Sequence, residues 1–426
     1  MWLLSLLAVL WSFMQVPTAA ADEASQTVTA AQFRADLAFM RETIVRMHPD
    51  PEFSTNKRAL DTAFDRLGQD VPPRLTRDEA WRRLASLNPL FADAHFLVGY
   101  ADWRGDTLSW LAGGGTLFPL EVELDEDAEL YVRRATPSAE RERIVSINGI
   151  DARTVVRTLL AKTHGDTPSF RARLLAQRWW LFYWKTYGAP LQYRLALEKG
   201  GQGRIVDLPG SRAVPAFMRD EAQFAHQFNL DIRCCGSAVL TVGSFSASDP
   251  APFMAFTHDA FTKIRNAGVT SLVIDISNNG GGDDAMWLDG LMPYLATTPY
   301  RTGSTYRAMS RARPGVQGEV SDGEISTWRQ PQLNHPLHFG GKIVVKIGPA
   351  TYSSAILFAN VMRDFGLAKL VGRGGAARRS QSGGVRGVSL PHTGLVLSLP
   401  RFILDPPAGR VPGALLEAQA AQPGEL

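Results

Sequence analysis

A serine hydroxyl becomes a nucleophile only where rigid structure presents it and a base stands in reach. Ser353 and Ser354 lie in Thr351-Tyr352-Ser353-Ser354-Ala355, just after the apolar run Ile343 to Ile347 and a Gly348-Pro349 break. The run reads as a strand. Pro349 lacks an N–H and biases its neighbour away from helix, so a helix is expected to begin near Ser353 and Ser354. Ile356, Leu357, Val361, Met362 and Phe365 form its apolar flank, Asn360, Arg363 and Asp364 are expected on its wet side, and Gly366 suits its C-terminal cap. A serine on such a strand-to-helix turn is held rigidly, and the backbone N–H groups at the helix start can stabilise an oxyanion. Ser and Thr also cap helices routinely, so this stretch alone leaves nucleophile and cap both open.

Two further stretches carry chemistry. Ser277-Asn278-Asn279-Gly280-Gly281-Gly282 breaks the strand Leu272 to Ile276, and consecutive glycines let backbone amides approach a ligand without side chains in the way. No Gly-Lys-Ser/Thr follows, which disfavours a phosphate loop; a plain turn is the other reading. His95, in Phe91-Ala92-Asp93-Ala94-His95-Phe96-Leu97-Val98, has the one side chain type that ordinarily titrates near neutrality, although a lone histidine can equally be structural.

The elements that must position these residues fall in three blocks. Phe33, Leu37, Met40, Ile44 and Met47 recur at helical spacing. A second helix is expected from Asn56 to Leu67, and a third after Thr76, which has capping-box spacing to Glu79. From Gly113 onward short strands dominate, with Asn148-Gly149 a strong turn dipeptide, and the aromatic run Arg178 to Tyr187 is expected to be a buried packing face. Pro209 to Cys235 reads as a connector. From Ser237 apolar strands alternate with helices, which argues for a mainly parallel sheet covered on its faces. Arg301 to Arg329 reads as irregular, and Val385 to Leu399 as a hairpin turning at Pro391-His392-Thr393-Gly394.

At 426 residues with 45% hydrophobic and 20% charged residues, the chain has the composition of a multidomain globular protein. A formal net charge of +3 gives no case for nucleic acid. Met1 to Met14 is apolar and Thr18-Ala19-Ala20-Ala21 precedes Asp22, the pattern of a cleaved signal peptide at residues 1–21, although the first basic residue is only Arg34. Export to a periplasmic or extracellular space is therefore expected, with no integral membrane span after cleavage. Cys234 and Cys235 are the only cysteines. Neighbouring residues sit too close for relaxed disulfide geometry, and two thiols make no metal cluster, so they are expected to be partly buried free thiols at a domain junction.

Taken together, the triple glycine after an apolar strand and the T-Y-S-S-A turn resemble the tail-specific, or C-terminal-processing, serine peptidase family. The string from Ile144 to Ile150 followed by a helix resembles the end of a PDZ domain, a module that takes peptide chain ends as an added strand. The resemblance implies an α/β fold: a crotonase/ClpP-like peptidase core at 236–426, preceded by a helical domain at 22–105 and a β-rich PDZ-like region at 106–235. Carried over residue by residue, Ser353 falls on the nucleophile, and Ser354 N–H with an amide from Gly280, Gly281 or Gly282 on the oxyanion hole. The bacterial branch of the family places a lysine base where this chain has Val371-Gly372-Arg373-Gly374-Gly375-Ala376-Ala377-Arg378-Arg379. Arginine stays protonated and cannot serve as that base. A second branch, similar to the tricorn core peptidase and to interphotoreceptor retinoid-binding proteins, uses a histidine in an Asp-Gly-His-Thr-like string, which Asp93-Ala94-His95-Phe96 matches in position.

The resemblance thus implies an exported serine peptidase acting on peptides or proteins through an acyl-enzyme, with no metal and no cofactor. Ser353 attacks, His95 shuttles the proton, and Asp405 is the nearest late carboxylate to orient the histidine. Asp93 is set aside as orienter, because strand neighbours at i and i+2 point in parallel. Arg378, with Arg373 and Arg379, is placed to receive a substrate carboxylate. The lost lysine and the altered histidine string keep a second function class open: an inactive member serving as a peptide- or lipid-binding module.

Overall fold

The computed structural model describes residues 27–134, 136, 138–310 and 318–420; the segment 1–21 expected as a signal peptide lies outside them. Helix Ala30–Met47 opens on a capping box, in which Thr29 accepts the Gln32 N–H and Gln32 returns a bond to Thr29. Each such cap adds about 1 kcal/mol. Its apolar stripe buries Phe33, Leu37, Met40 and Ile44. Helices Lys57–Leu67 and Arg77–Leu84 follow, the latter with its own Thr76/Glu79 capping box. Among the described residues no helix is long and apolar enough to cross a membrane.

The middle block is a sheet in which Arg143–Ile147 pairs with Gln192–Lys199, and the latter with Gln202–Pro209, all antiparallel. Asn148 and Gly149 adopt φ of 50° and 80°, the left-handed pair a tight hairpin turn requires. The aromatic helix Trp179–Tyr187 buries Trp179, Trp180, Phe182 and Tyr183.

The third block is built on a five-stranded sheet in the order Phe228–Arg233, Ser237–Val242, Ser271–Asp275, Lys342–Ile347, Lys369–Gly372. The first pair is antiparallel and the rest are parallel. This sheet begins inside the segment expected to be a connector, and the cysteines make its first hairpin turn. Both thiols are exposed, not partly buried as expected, with Cys235 at φ 61°. The stretch expected to be irregular contributes strands Thr305–Met309 and Val320–Glu324 to a second sheet, where the former pairs with Phe402–Leu404.

Helix Ser354–Asp364 starts where expected, but of the expected wet side only Arg363 is exposed. Ser354 through Met362 are all buried. Asn360 is buried because it donates to the Arg379 carbonyl and accepts from Arg379 Nε, and Asp364 pairs with the same guanidinium. A polar face of this kind is compatible with burial because every group finds a charged or backbone partner.

The contact that matters most for the site is distant in sequence. Strand Leu97–Gly99, just after His95, pairs antiparallel with Val396–Leu399 of the C-terminal hairpin, Val98 opposite Leu397. That hairpin's turn is in turn held by the N-terminal helix: the fully buried Asp36 accepts the N–H of His392 (3.1 Å) and the N–H and Oγ1 of Thr393 (2.9 and 2.8 Å). Asp36→Ala leaves these donors unpaired in the interior, where bonds to a charged group contribute about 1.5–3 kcal/mol each and do not sum fully. The expected loss is roughly 3 kcal/mol in denaturant unfolding with an unchanged m-value; a loss below about 0.5 kcal/mol contradicts the assigned role.

Candidate active site

Ser353 closes the turn between strand Lys342–Ile347 and helix Ser354–Asp364 at φ 54° and ψ −127°. A non-glycine residue holds such a backbone only when its surroundings over-determine it. Three contacts do so. Thr351 Oγ1 donates to the Ile276 carbonyl (2.9 Å) and accepts the Gly348 N–H (2.9 Å), locking the turn to the neighbouring strand. Gln381 Oε1 accepts the Ser353 N–H at 3.0 Å, its own amide anchored to the Arg378 carbonyl. Gly281 packs so close that a Cβ there would stand 2.6 Å from Ser353 Cβ and 2.9 Å from Ser354 N.

None of the turn's hydroxyls caps the helix. Ser353 is the N-cap position yet makes no side-chain cap bond. Ser354 is buried; its hydroxyl donates to Asp284 and accepts Trp287 Nε1–H at 3.0 Å. Ser353 is half-buried and its hydroxyl has no hydrogen-bond partner among the described residues, which separates it from the fully engaged Ser354. Among the described residues the Ser354 N–H has no partner, whereas the Gly281 N–H is taken by Asn279 Oδ1 at 2.8 Å. The N–H groups of Gly280 and Gly282 remain free in the same sense, and Gly280 lines the cleft.

His95 is held at both ends. Its N–H donates to Asp93 Oδ1 (2.7 Å), and its ring Nδ1 lies 3.0 Å from Ser382 Oγ and 4.0 Å from Asp93 Oδ1. Ser382 adjoins Gln381, so one short strand, Gln381–Gly383, contacts both the Ser353 backbone and the His95 ring. Burial pulls the His95 pKa below its ordinary value, opposed by the Asp93 carboxylate and the bond to Ser382. Asp405 is placed elsewhere: its carboxylate accepts Ser380 Oγ (2.7 Å) and Thr305 Oγ1 (2.6 Å), an outcome of the sheet pairing that brings Thr305 beside it. Asp93, set aside above, is the carboxylate beside the ring. Residues 93–96 form a turn after a left-handed Ala92, not a strand, so the parallel-pointing argument does not hold there.

Tyr352 links these parts. Its hydroxyl stands 2.7 Å from Asp166 Oδ1 and 3.2 Å from Asp93 Oδ1 and accepts the Ala94 N–H at 3.1 Å. Burial and the nearby Asp93 push Asp166 up to about 6, against the pull of Arg378. Arg378, expected to receive a substrate carboxylate, is engaged within the protein: its backbone N–H and guanidinium both reach Asp166 Oδ2, at 2.9 and 3.3 Å, and Nη1 donates to the Ala92 carbonyl. Arg373 pairs with Glu126 at 3.1 Å and Arg379 with Asp364. A second histidine went unnoticed in the sequence because nothing in its surroundings marks it: His164, whose pKa burial, Arg178 and His95 push down to about 3.

His95, His164, Gly280, Gly281, Ala350 and Tyr352 wall a cleft of about 1370 Å³. That exceeds the range usual for small-molecule pockets and suits an extended chain. Among the described residues no group of His, Cys, Asp and Glu is arranged to hold a metal ion.

Residues 237–408 match the model of peptidase family S41. No curated protein matches the chain. Among solved structures, mature CPAF superposes with a TM-score of 0.60 at 14% identity, covering 89% of this chain and 91% of that one. A point mutant of CPAF gives 0.64 at 14% identity over 91% and 92%, and mature CPAF complexed with lactacystin 0.59 at 15% over 90% and 93%. These likenesses establish a shared fold along most of the chain. The matched segment is that of a peptidase family, and the superpositions add a shared fold.

Gly281→Ala is expected to displace the Ser353 turn, since the added Cβ also meets Tyr352 O at 2.8 Å and φ is +98°. A displacement near 1 Å costs about 100-fold in reactivity, read as the rate of fluorophosphonate labelling. Gly280→Ala adds a Cβ with nothing within 4 Å and is expected to label within about threefold of wild type. Equal effects of the two changes would refute the close-packing account.

Proposed function

We propose that this chain is an exported peptidase that cleaves peptide or protein chains through an acyl-enzyme on Ser353. The observation that carries the reading is that adjacent residues of one short strand hold both groups: Gln381 the amide of the strained, half-buried Ser353, and Ser382 the Nδ1 of His95. With Nδ1–H donating to Ser382, the His95 ring presents Nε2 as the basic nitrogen. Nε2 removes the Ser353 proton as Oγ adds to the substrate carbonyl, and the N–H groups of Ser354 and Gly280 receive the developing oxyanion. His95 then protonates the leaving amine. Water, activated by the same nitrogen, hydrolyses the ester and returns free Ser353 and a carboxylic acid.

In this assignment Ser382 and Asp93 take the orienting role first given to Asp405. Export rests on the apolar leader and its small-residue end, and the PDZ-like reading of the middle sheet on the turn and helix that follow Ile144. The substrate class follows the peptidase family match of residues 237–408.

Purified protein is expected to label with a fluorophosphonate, and labelling is expected to vanish in Ser353→Ala, fall at least about 1000-fold in His95→Ala, and persist in Ser354→Ala. Lactacystin, seen in complex with mature CPAF, serves as a competing probe. A folded protein that labels in no form is a binding module instead.

The neutral imidazole is the active form, so activity is full above the His95 pKa and lost as pH falls through it. Because burial lowers that pKa, the acid limb of kcat/KM is expected below the ordinary histidine value of about 6.5. Asp93→Asn removes a carboxylate that favours the imidazolium and should move the limb to still lower pH. Movement to higher pH would contradict the role given to Asp93.

A further inference from the structure

A second cavity, of about 700 Å³, shares no residue with the cleft at Ser353 and has a size usual for small-ligand pockets. One wall is the N-terminal segment from Asp50 to Phe53; another comes from strands Thr305–Met309, Val320–Glu324 and Phe402–Leu404 with Ser380 and Asp405. Five carboxylates line it against two guanidiniums. Arg307 is taken up within it, bonding Asp322 through Nε and Nη2 (2.8 and 3.0 Å) and Asp50 through Nη1 (3.3 Å). Arg410, the second guanidinium, is exposed and acts on the same Asp322. Asp405 accepts only the neutral hydroxyls of Ser380 and Thr305, and neither Glu52 nor Glu324 is paired with an arginine of the cavity. Negative charge is therefore in excess. Ser304 gives an independent sign of a ligand: it is 6% exposed, lines the cavity, and has its backbone N–H and C=O engaged by Asp405 and Ile325, yet its hydroxyl has no partner among the described residues. Leaving a buried hydroxyl unpaired costs about 1–3 kcal/mol.

The rings of Phe53 and Tyr306 also line the cavity. Ring faces beside carboxylates suit an alkylammonium or guanidinium group, and among the described residues no side-chain cluster is arranged for a metal ion. Both walls lead to the catalytic groups. Ser380, bonded to Asp405, directly precedes Gln381 and Ser382, which hold the Ser353 N–H and the His95 ring. On the other wall Ser54 Oγ donates to the Phe91 carbonyl at 2.7 Å, joining the segment from Asp50 to Phe53 to the turn that carries His95. A ligand that touches both walls holds the histidine segment on the core that bears Ser353. We propose that this cavity is an effector site for an organic cation, an alkylammonium or guanidinium group, whose binding favours the docked histidine segment and so raises the reactivity of Ser353. The cation site stands apart from the peptidase reading, and its effect on Ser353 rests on that reading.

The test reads binding and reactivity separately. By calorimetry, Ser353→Ala protein is titrated with spermidine, with an acetylated and amidated glycine peptide carrying one central lysine, with the norleucine counterpart of that peptide, and with Mg²⁺. The better of the two organic cations is expected to bind at least about 10-fold more tightly than the norleucine peptide and Mg²⁺. Tighter spermidine identifies a free polyamine as the ligand type, and a tighter lysine peptide identifies a basic segment of a polypeptide. Adding Glu52→Gln/Glu324→Gln should weaken this binding roughly 3- to 30-fold, the range for two exposed charge pairs. Adding Ser304→Ala should weaken it by about 10-fold while leaving the melting temperature without ligand unchanged or higher, because no bond of the free protein is lost. In the Ser353 protein the same organic cation should speed fluorophosphonate labelling about fivefold or more, saturating along the binding curve. Glu52→Gln/Glu324→Gln should label at the wild-type rate without ligand, which also shows that it folds, and should blunt the acceleration. Equal binding of the lysine and norleucine peptides, Mg²⁺ binding as tightly as the organic cations, or unchanged affinity in both variants overturns the site. Saturable binding with an unchanged labelling rate overturns the effector role. Absent labelling with cation-selective binding intact refutes the peptidase reading while leaving the cation site standing.

Discussion

One buried hydroxyl, that of Tyr352, ties the site together. It meets Asp93 from the histidine turn and Asp166 from the segment before helix Pro168–Gln177, while Arg378 closes the cluster from the C-terminal loop. Two carboxylates and one guanidinium leave an excess negative charge if both acids are ionised. Burial and the nearby Asp93 raise Asp166 to about 6, against Arg378 and the Tyr352 hydroxyl, which favour its ionised form. The Asp93 carboxylate lies beside the His95 ring, where it opposes the desolvation that lowers the histidine pKa. The network therefore positions two chain segments and sets the basicity of one of them.

The strain at Ser353 is the second constraint. A left-handed backbone at a non-glycine residue costs on the order of 1–3 kcal/mol, and relaxing it would displace the hydroxyl and the Ser354 N–H together. Thr351 fixes the turn from the sheet side, Gln381 from the loop side, and Gly281 leaves room on the third. Each contact comes from a different element, which is why helix propensity alone does not determine the conformation of this turn.

Local pattern made much of this legible. The strand, turn and helix around Ser353 are readable because Pro349, the apolar run and Gly366 act within a few residues, and the glycine loop because three glycines are unmistakable. The Asn148-Gly149 turn and both capping boxes follow from the same short-range chemistry. What escaped depends on pairings across the chain. Asn360 and Asp364 look like a wet face until Arg379 is seen to cover them. Asp405 looks free until Thr305 and Ser380 occupy it. Ser382 and Gln381 sit in a Gly- and Arg-rich loop whose composition says nothing of which residue faces inward. Asp93 was readable in principle, since an Asp two residues before a histidine commonly makes an Asx turn.

The stretch where the family resemblance places a lysine base shows what such long-range placement demands. Arg379, in the stretch that would carry the lysine, is buried against Asp364 and Asn360 and has become part of the scaffold. A lysine there would travel with the core sheet and be in place whenever that sheet folds. A histidine at position 95 instead arrives on a segment joined to the core by a three-residue strand and by the contacts of Tyr352 and Ser382. Short pairings open locally at lower free energy than the sheet that bears Ser353. On the proposed reading, the fraction of molecules able to react is therefore the fraction with this segment docked, and any ligand that bridges the cleft between the glycine loop and helix Pro168–Gln177 favours the docked state by its differential affinity for it.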